Sequence, residues 1–133
     1  MGSTKCPAVS DDKRVIMIVD DEPINIRVLL SSLKDDYKVK VAKNGEKALE
    51  LIRKEPETLE LILLDVEMPG LNGYEVCSAL KSDPQTKGIP VVFVTGRDTA
   101  QDRAEQEKLG AAGVLGKPIE PELLKETVRS LLS

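Results

Sequence analysis

The chain has no histidine and no tryptophan, and its only aromatic side chains are two tyrosines and one phenylalanine. Sites built on stacking, such as those for flavin or single-stranded nucleic acid, are therefore disfavoured. Zinc and haem sites are disfavoured as well, because histidine is absent and Cys6 and Cys77 lie far apart in the sequence. Two such cysteines form no disulfide framework, which favours a reducing, cytoplasmic setting.

Long apolar runs and an excess of basic residues are also missing. No run approaches the ~20 residues of a membrane-spanning helix, and the N-terminus lacks the apolar core of a signal peptide. The net charge of −4 argues against a nucleic-acid-binding face. We therefore expect no membrane or nucleic-acid partner. The 133 residues predict a flexible lead over residues 1–13 and one globular domain over residues 14–133.

Five segments predict β-strands. Continuous apolar runs over Val15–Val19, residues 61–64 and residues 91–94 are typical of strands buried on both faces, and the second of these strands ends at Asp65. Residues 38–42 alternate between polar and apolar, which favours an edge strand on which lysines discourage further pairing. A short fifth strand is predicted over residues 113–116.

Apolar residues at helical spacing predict a helix after each strand. The expected helices span residues 23–34, 45 to before Pro56, 73 to before Asp83, 98 or 99 to 109, and from Pro121 onward. Cys77 falls on the core face of the third helix and is interpreted as a buried small hydrophobic residue. The fourth helix offers only Ala100, Ala104 and Leu109 for packing, so we expect it to be loosely held.

Regular alternation of strands and helices predicts an α/β fold with a parallel sheet and helices on both faces. Right-handed crossovers leave few topologies, and we choose the flavodoxin-like doubly wound (βα)5 sheet with strand order 2-1-3-4-5. In that order the first and third strands are neighbours, and ligands bind at the carboxyl edge where the winding reverses.

Chemically active side chains follow the strands at this edge. Asp20 and Asp21 follow the first strand, Asp65 ends the third, and Thr95 and Lys117 follow the fourth and fifth. Carboxylates about 4 Å apart repel by roughly 1 kcal/mol in water and roughly 4 kcal/mol at an effective dielectric of 20. A hard divalent cation offsets that repulsion, and an all-oxygen ligand set favours Mg²⁺.

Together these groups favour a site for a phosphoryl group, with Asp65 as the nucleophile. Each residue also has an ordinary structural interpretation. An Asp pair often caps a helix, a threonine at a strand end is usually structural, and a lone lysine usually faces solvent. Their joint occurrence at one sheet edge favours the site.

Four motifs resemble the receiver domain of bacterial response regulators, and the resemblance covers about residues 14–132. They are VDDEP at 19–23, LLDVEMPGLNG at 63–73, PVVFVTG at 90–96 and GKP at 116–118. Each motif alone has little specificity, whereas the four together are highly specific.

The resemblance implies a Mg²⁺ site formed by Asp20, Asp21, Asp65 and the backbone carbonyl of Glu67. It implies that Asp65 is the phosphoacceptor, with Asp21 binding the ion directly and Asp20 largely through water.

For the phosphoryl group, the resemblance implies that Thr95 bonds one of its oxygens. It implies that Lys117 pairs first with the Asp65 carboxylate and then with the phosphoryl group. The Lys117–Pro118 peptide bond is expected to be cis.

The resemblance also implies partners. A histidine kinase or histidine phosphotransfer protein supplies the phosphoryl group, and the domain catalyses only its own phosphorylation and dephosphorylation. The output is a shift in the face made by the fourth helix, fifth strand and fifth helix. That face is also the candidate homodimer surface, and an output domain or protein is a further expected partner. The loops are reminiscent of receivers that precede cyclic-nucleotide signalling domains.

Three positions depart from the family pattern. Val114 stands where the family usually has Tyr or Phe, so the aromatic switch is absent or altered. Ile119 follows Lys-Pro where an aromatic is common. Glu67 adds an acid near the acceptor, and we expect it to slow phosphoryl entry or tune hydrolysis, by pairing with Arg97.

Two alternatives stay open. A degenerate receiver that acts only as an interaction module is favoured by Val114. An aspartyl-nucleophile phosphatase is favoured by Glu67, two residues after Asp65, although the chain has no cap domain.

Overall fold

The computed structural model describes residues 13–132, so Cys6 and the predicted lead, apart from Lys13, lie outside the described residues. In chain order the elements are β1 Val15–Val19, α1 Pro23–Leu33, β2 Lys38–Ala42, α2 Gly45–Lys54, β3 Leu59–Asp65, α3 Gly73–Lys81, β4 Val91–Thr95, α4 Ala100–Lys108, β5 Gly113–Gly116 and α5 Pro121–Leu132. A short 3-10 turn, Pro56–Thr58, precedes β3. No helix within the described range is long and apolar enough to cross a bilayer.

The five strands form one parallel sheet in the order β2-β1-β3-β4-β5, which confirms the predicted topology. Register aligns the carboxyl ends of the central strands. Val19 of β1 pairs with Leu64 of β3, and Asp65 pairs with Val94 of β4. Asp20, the residue after β1, therefore lies beside Asp65 at the same edge of the sheet.

Hydrophobic side chains fill the space on both faces of the sheet. Along β3, Ile62 and Leu64 pack into one layer, while Leu61 and Leu63 pack into the other. All four are essentially inaccessible to water, which explains the unbroken apolar run. Each such side chain contributes roughly 1.5–3 kcal/mol of burial free energy, so β3 is a rigid support for the residue at its end.

Several boundaries differ slightly from the prediction. β3 begins at Leu59, two residues early, because Leu59 is buried while Glu60 turns to solvent. α1 ends at Leu33, and Lys34 is its C-cap. Cys77 is fully buried, which confirms its interpretation as a core residue.

α4 packs differently from the prediction. Its Ala100 and Ala104 are exposed, and the side chains it buries are the polar Asp102 and Gln106. Thr99 is the N-cap and forms a capping box with Asp102. The scarcity of apolar residues was predicted correctly, but polar contacts attach this helix to the domain.

Candidate functional site

The three predicted carboxylates converge at the carboxyl edge of the sheet. Asp20, Asp21 and Asp65 each offer one oxygen, and these oxygens all lie within 4.8 Å of one another. Asp20 and Asp65 retain only 1% and 3% of their surface, while Asp21 is closer to solvent. Two buried like charges at this separation are unfavourable unless a cation offsets them.

Asp20 has one carboxylate oxygen that the protein leaves unsatisfied. Its Oδ1 accepts a hydrogen bond of 2.9 Å from the backbone N–H of Glu22. Within the described residues, its buried Oδ2 has no hydrogen-bond partner, and the ammonium of Lys117 lies 3.7 Å away. A buried oxygen without a partner is costly, and oxygen ligands are those that Mg²⁺ binds. The residues present therefore fit a divalent cation.

Lys117 reaches into the acid cluster from the end of β5. Its Nζ donates a 3.0 Å hydrogen bond to Oδ1 of Asp65, and its side chain is mostly buried. Burial lowers the pKa of Lys117, but the hydrogen bond to Asp65 and the charges of Asp20, Asp65 and Glu22 raise it above its ordinary value overall. Lys117 is therefore a persistent cation. The bond to Pro118 is cis, as expected.

The ionised Asp65 carboxylate lies in an unfavourable environment. Burial raises the pKa of Asp65, and the nearby charge of Asp20 raises it further. Hydrogen bonds from Lys117 and from the backbone N–H of Glu67 act in the opposite direction but do not cancel the increase. A cation added beside Asp65 would therefore stabilise its ionised form.

Thr95, the last residue of β4, is 4% exposed, and its Oγ1 accepts a 2.9 Å hydrogen bond from the backbone N–H of Arg97. A recess of about 310 Å³ opens beside it. The lining residues are Asp21, Glu22, Asp65, Glu67, Thr95, Gly96 and Lys117. The recess therefore combines a carboxylate, a hydroxyl and an ammonium.

Gly73 lets the loop after Asp65 close tightly onto the strand. Its N–H donates a 2.8 Å hydrogen bond to the carbonyl of Val66. A Cβ at this position would lie 2.2 Å from the backbone oxygen of Asp65, closer than any real contact. Only glycine therefore allows α3 to start here.

A network beside the recess was not predicted from the sequence. The hydroxyl of Tyr74 donates to Oδ1 of Asp102 at 2.9 Å and accepts from Nε2 of Gln106 at 3.1 Å. Nε of Arg97 lies 3.3 Å from the same Asp102 oxygen. The Thr-x-x-Asp capping box, with Asp102 and Gln106 four residues apart, was the available signal.

Arg97 also contacts Glu67, the additional acid two residues after Asp65. Its guanidinium lies 3.7 Å from the carboxylate of Glu67, as the sequence had led us to expect. Both side chains are largely exposed, so this pair contributes little to stability.

The sheet order and the acidic cluster at its switch point define a flavodoxin-like α/β domain with the site arrangement of a signalling receiver. The chain belongs to the response regulator receiver domain family, whose family model matches residues 16–129. It is therefore a receiver domain of a response regulator, a signalling module of two-component systems.

Similar proteins and structures support this assignment. Protein PilH of Pseudomonas aeruginosa is 36% identical over 119 residues, which cover 89% of this chain and 97% of PilH. The structure of the chemotaxis protein CheY4 of Vibrio cholerae superposes with a TM-score of 0.84 at 30% identity, covering 90% of this chain and 99% of CheY4.

Two longer relatives match as well. Response regulator PleD of Caulobacter vibrioides is 42% identical over 87% of this chain and 25% of PleD. A Vibrio cholerae protein described as a probable cyclic di-GMP phosphodiesterase is 40% identical over 88% of this chain and 26% of that protein. The chain thus spans about a quarter of the length of these two relatives.

Proposed function

We propose that this receiver domain is a phosphorylation-dependent switch with Asp65 as its phosphoacceptor. The phosphoryl group comes from the phosphohistidine of a histidine kinase or histidine phosphotransfer protein. One observation carries the proposal: the Asp65 carboxylate is buried at the base of the recess, with Lys117 3.0 Å away and Thr95 lining the same space.

In the proposed transfer, an Asp65 carboxylate oxygen attacks phosphorus while the phosphorus–nitrogen bond to the donor imidazole breaks. The bonding electron pair leaves with the imidazole nitrogen, and Asp65 becomes an acyl phosphate. Lys117 pairs with a phosphoryl oxygen and Thr95 donates its hydroxyl to another, so both stabilise the transferred charge. Hydrolysis later restores the carboxylate and releases inorganic phosphate.

The acid cluster is the proposed Mg²⁺ site, with Asp20, Asp21, Asp65 and the backbone carbonyl of Glu67 as protein ligands. A bound Mg²⁺ supplies positive charge that offsets the repulsion among the acids and the incoming phosphoryl group. The unsatisfied Oδ2 of Asp20 and the raised pKa of Asp65 support this assignment.

Intact-mass spectrometry tests the acceptor. After incubation with acetyl phosphate and Mg²⁺, we expect one phosphoryl group on the wild type and none on Asp65→Asn. The matched control is Asp35→Asn, which changes an exposed aspartate just beyond the C-terminal end of α1. This variant should be phosphorylated like the wild type. A wild type without an adduct contradicts the proposal.

Thermal unfolding tests the metal site. At ten times its dissociation constant, a ligand stabilises the native state by about 1.4 kcal/mol, which raises the Tm of a domain of this size by about 5 °C. Asp20→Asn should lose this response at equal ionic strength. If Mg²⁺ raised the Tm of the wild type and of Asp20→Asn equally, the ion would bind at another site.

For the output, we propose that phosphorylation shifts the face formed by α4, β5 and α5. Val114 on β5 and Leu123 on α5 are large apolar side chains that remain about half exposed, which suits a homodimer contact or an output protein. A longer parent protein with an output domain is also proposed, because the aligned region covers only about a quarter of two relatives. We place the domain in the cytoplasm, where a kinase can reach it.

A second candidate, an interaction module that does not respond to phosphorylation, is favoured by Val114 in place of the family aromatic. Sedimentation of the Asp65-modified and unmodified domain separates the two. A phosphorylation-dependent change in association supports the switch, and association that ignores the modification supports the module.

A further inference from the structure

One hydroxyl on α3 contacts two polar residues of α4. We propose that Tyr74, Asp102 and Gln106 form a latch that fastens α4 to α3. We further propose that the latch loosens when Thr95 turns its hydroxyl to a phosphoryl group. This second part rests on the proposed function.

The core fixes the position of the Tyr74 hydroxyl. Its ring packs edge-on against the buried Phe93, with centroids 5.1 Å apart and planes at 78°. From there the hydroxyl donates to Asp102 and accepts from Gln106, both almost fully buried on α4. These residues lie one helical turn apart, so a single group secures the inner face of the helix.

Polar attachment makes the packing of α4 sensitive to small displacements. Apolar burial is non-directional and tolerates small shifts, whereas hydrogen bonds weaken steeply with distance and angle. Asp102 also accepts from the hydroxyl and backbone N–H of Thr99. The Thr99 hydrogen bond is the main cause of a lowered pKa for Asp102, and this keeps it a charged, strong acceptor. A small displacement of α4 would therefore weaken the latch.

Arg97 connects the latch to the acceptor site. Its backbone N–H donates to Oγ1 of Thr95 at 2.9 Å, and its Nε lies 3.3 Å from the Asp102 oxygen that Tyr74 binds. If Thr95 turns toward a phosphoryl group, the Arg97 N–H loses its acceptor. The added negative charge in the recess also competes with Asp102 for the Arg97 guanidinium. Both effects draw Arg97 away from the latch.

A route through Arg97 is also consistent with Val114 on β5, where the family usually has an aromatic residue. Val114 provides no ring that could follow the Thr95 side chain, and it is 46% exposed rather than packed inward. Tyr74, by contrast, contacts α4 directly through Asp102 and Gln106. The state of Thr95 can therefore reach α4 without an aromatic residue on β5.

Amide hydrogen exchange followed by mass spectrometry tests the latch in the unmodified domain. Tyr74→Phe keeps the ring and removes only the hydroxyl, so exchange at residues 103–109 should accelerate about tenfold. Gln106→Met removes the second hydrogen bond and should act in the same direction. Tyr37→Phe, which alters a tyrosine packed in the other core layer, is the control and should leave these amides unchanged. Unchanged exchange in both latch variants overturns the latch.

Beryllium fluoride with Mg²⁺ tests the coupling, with occupancy followed by ¹⁹F NMR. We expect exchange of residues 103–109 in the wild type to rise toward the level of Tyr74→Phe, and to change little further in that variant. If beryllium fluoride binds but exchange at residues 103–109 does not change, the coupling alone is overturned. The coupling alone is also overturned if binding increases this exchange in Tyr74→Phe as much as in the wild type. Absence of binding at saturating reagent overturns the coupling together with the proposed function.

Discussion

Replacing Gly73 by alanine should damage both stability and phosphorylation. The added Cβ would lie 2.2 Å from the backbone oxygen of Asp65 and 2.9 Å from Cα of Val66. Carbon–oxygen contacts settle near 3.3 Å, so the strand end and the helix start must separate by about 1 Å. Neither contact can be relieved by turning a side chain, because both atoms belong to the backbone.

Two opposing effects set the expected change in the unfolding free energy. Forced overpacking costs about 1–3 kcal/mol, and the greater stiffness of alanine in the unfolded chain returns about 0.4–1 kcal/mol. We therefore expect Gly73→Ala to lose about 1–2 kcal/mol of unfolding free energy, or about 4–7 °C in Tm. Phosphorylation should slow by about tenfold to a hundredfold, because Asp65, the proposed phosphoacceptor, moves with its backbone.

Urea denaturation and intact-mass time courses with acetyl phosphate measure the two effects. Gly88→Ala is the matched control, because its Cβ would have no heavy atom within 4 Å. Gly73→Ala could prove as stable as Gly88→Ala and be phosphorylated at the wild-type rate. In that case the close approach of Gly73 to the Asp65 backbone would matter for neither stability nor phosphorylation.

Two further variants probe the electrostatics of the site. Glu67→Ala should speed phosphorylation by acetyl phosphate about two- to fivefold, since a screened surface charge contributes up to ~1 kcal/mol; unchanged rates of adduct formation and loss would remove any role for this acid. Asp65→Asn should raise the unfolding free energy by ~1 kcal/mol in Mg²⁺-free buffer at pH 7, because it removes a buried charge beside Asp20 at the expense of one ion pair with Lys117. A urea titration in which the variant is less stable would contradict this.

The fold and the acid cluster were predictable because the relevant signals are local. Each central strand is an apolar run, and a polar or charged residue stands at its end or directly after it. A parallel sheet then brings those ends together whatever the details of packing. Asp20, Asp65 and Lys117 meet for this reason, although 52 residues separate the last two.

The latch was not predictable because it depends on the relative placement of two helices. Tyr74 and Asp102 are 28 residues apart, and neither stands in a pattern that points to the other. Hydrophobic periodicity identifies faces that bury apolar groups, so it cannot identify which face of α4 is buried, because that face is polar. The early start of β3 was missed for a related reason, since the exposed Glu60 interrupts the apolar run.

Peptide mapping of the phosphoryl group after treatment with acetyl phosphate and Mg²⁺ tests the central claim most directly. The account predicts one modified residue, Asp65, with modification that falls sharply when Mg²⁺ is chelated. Modification at another residue, or equal modification of Asp65 with and without Mg²⁺, would contradict it.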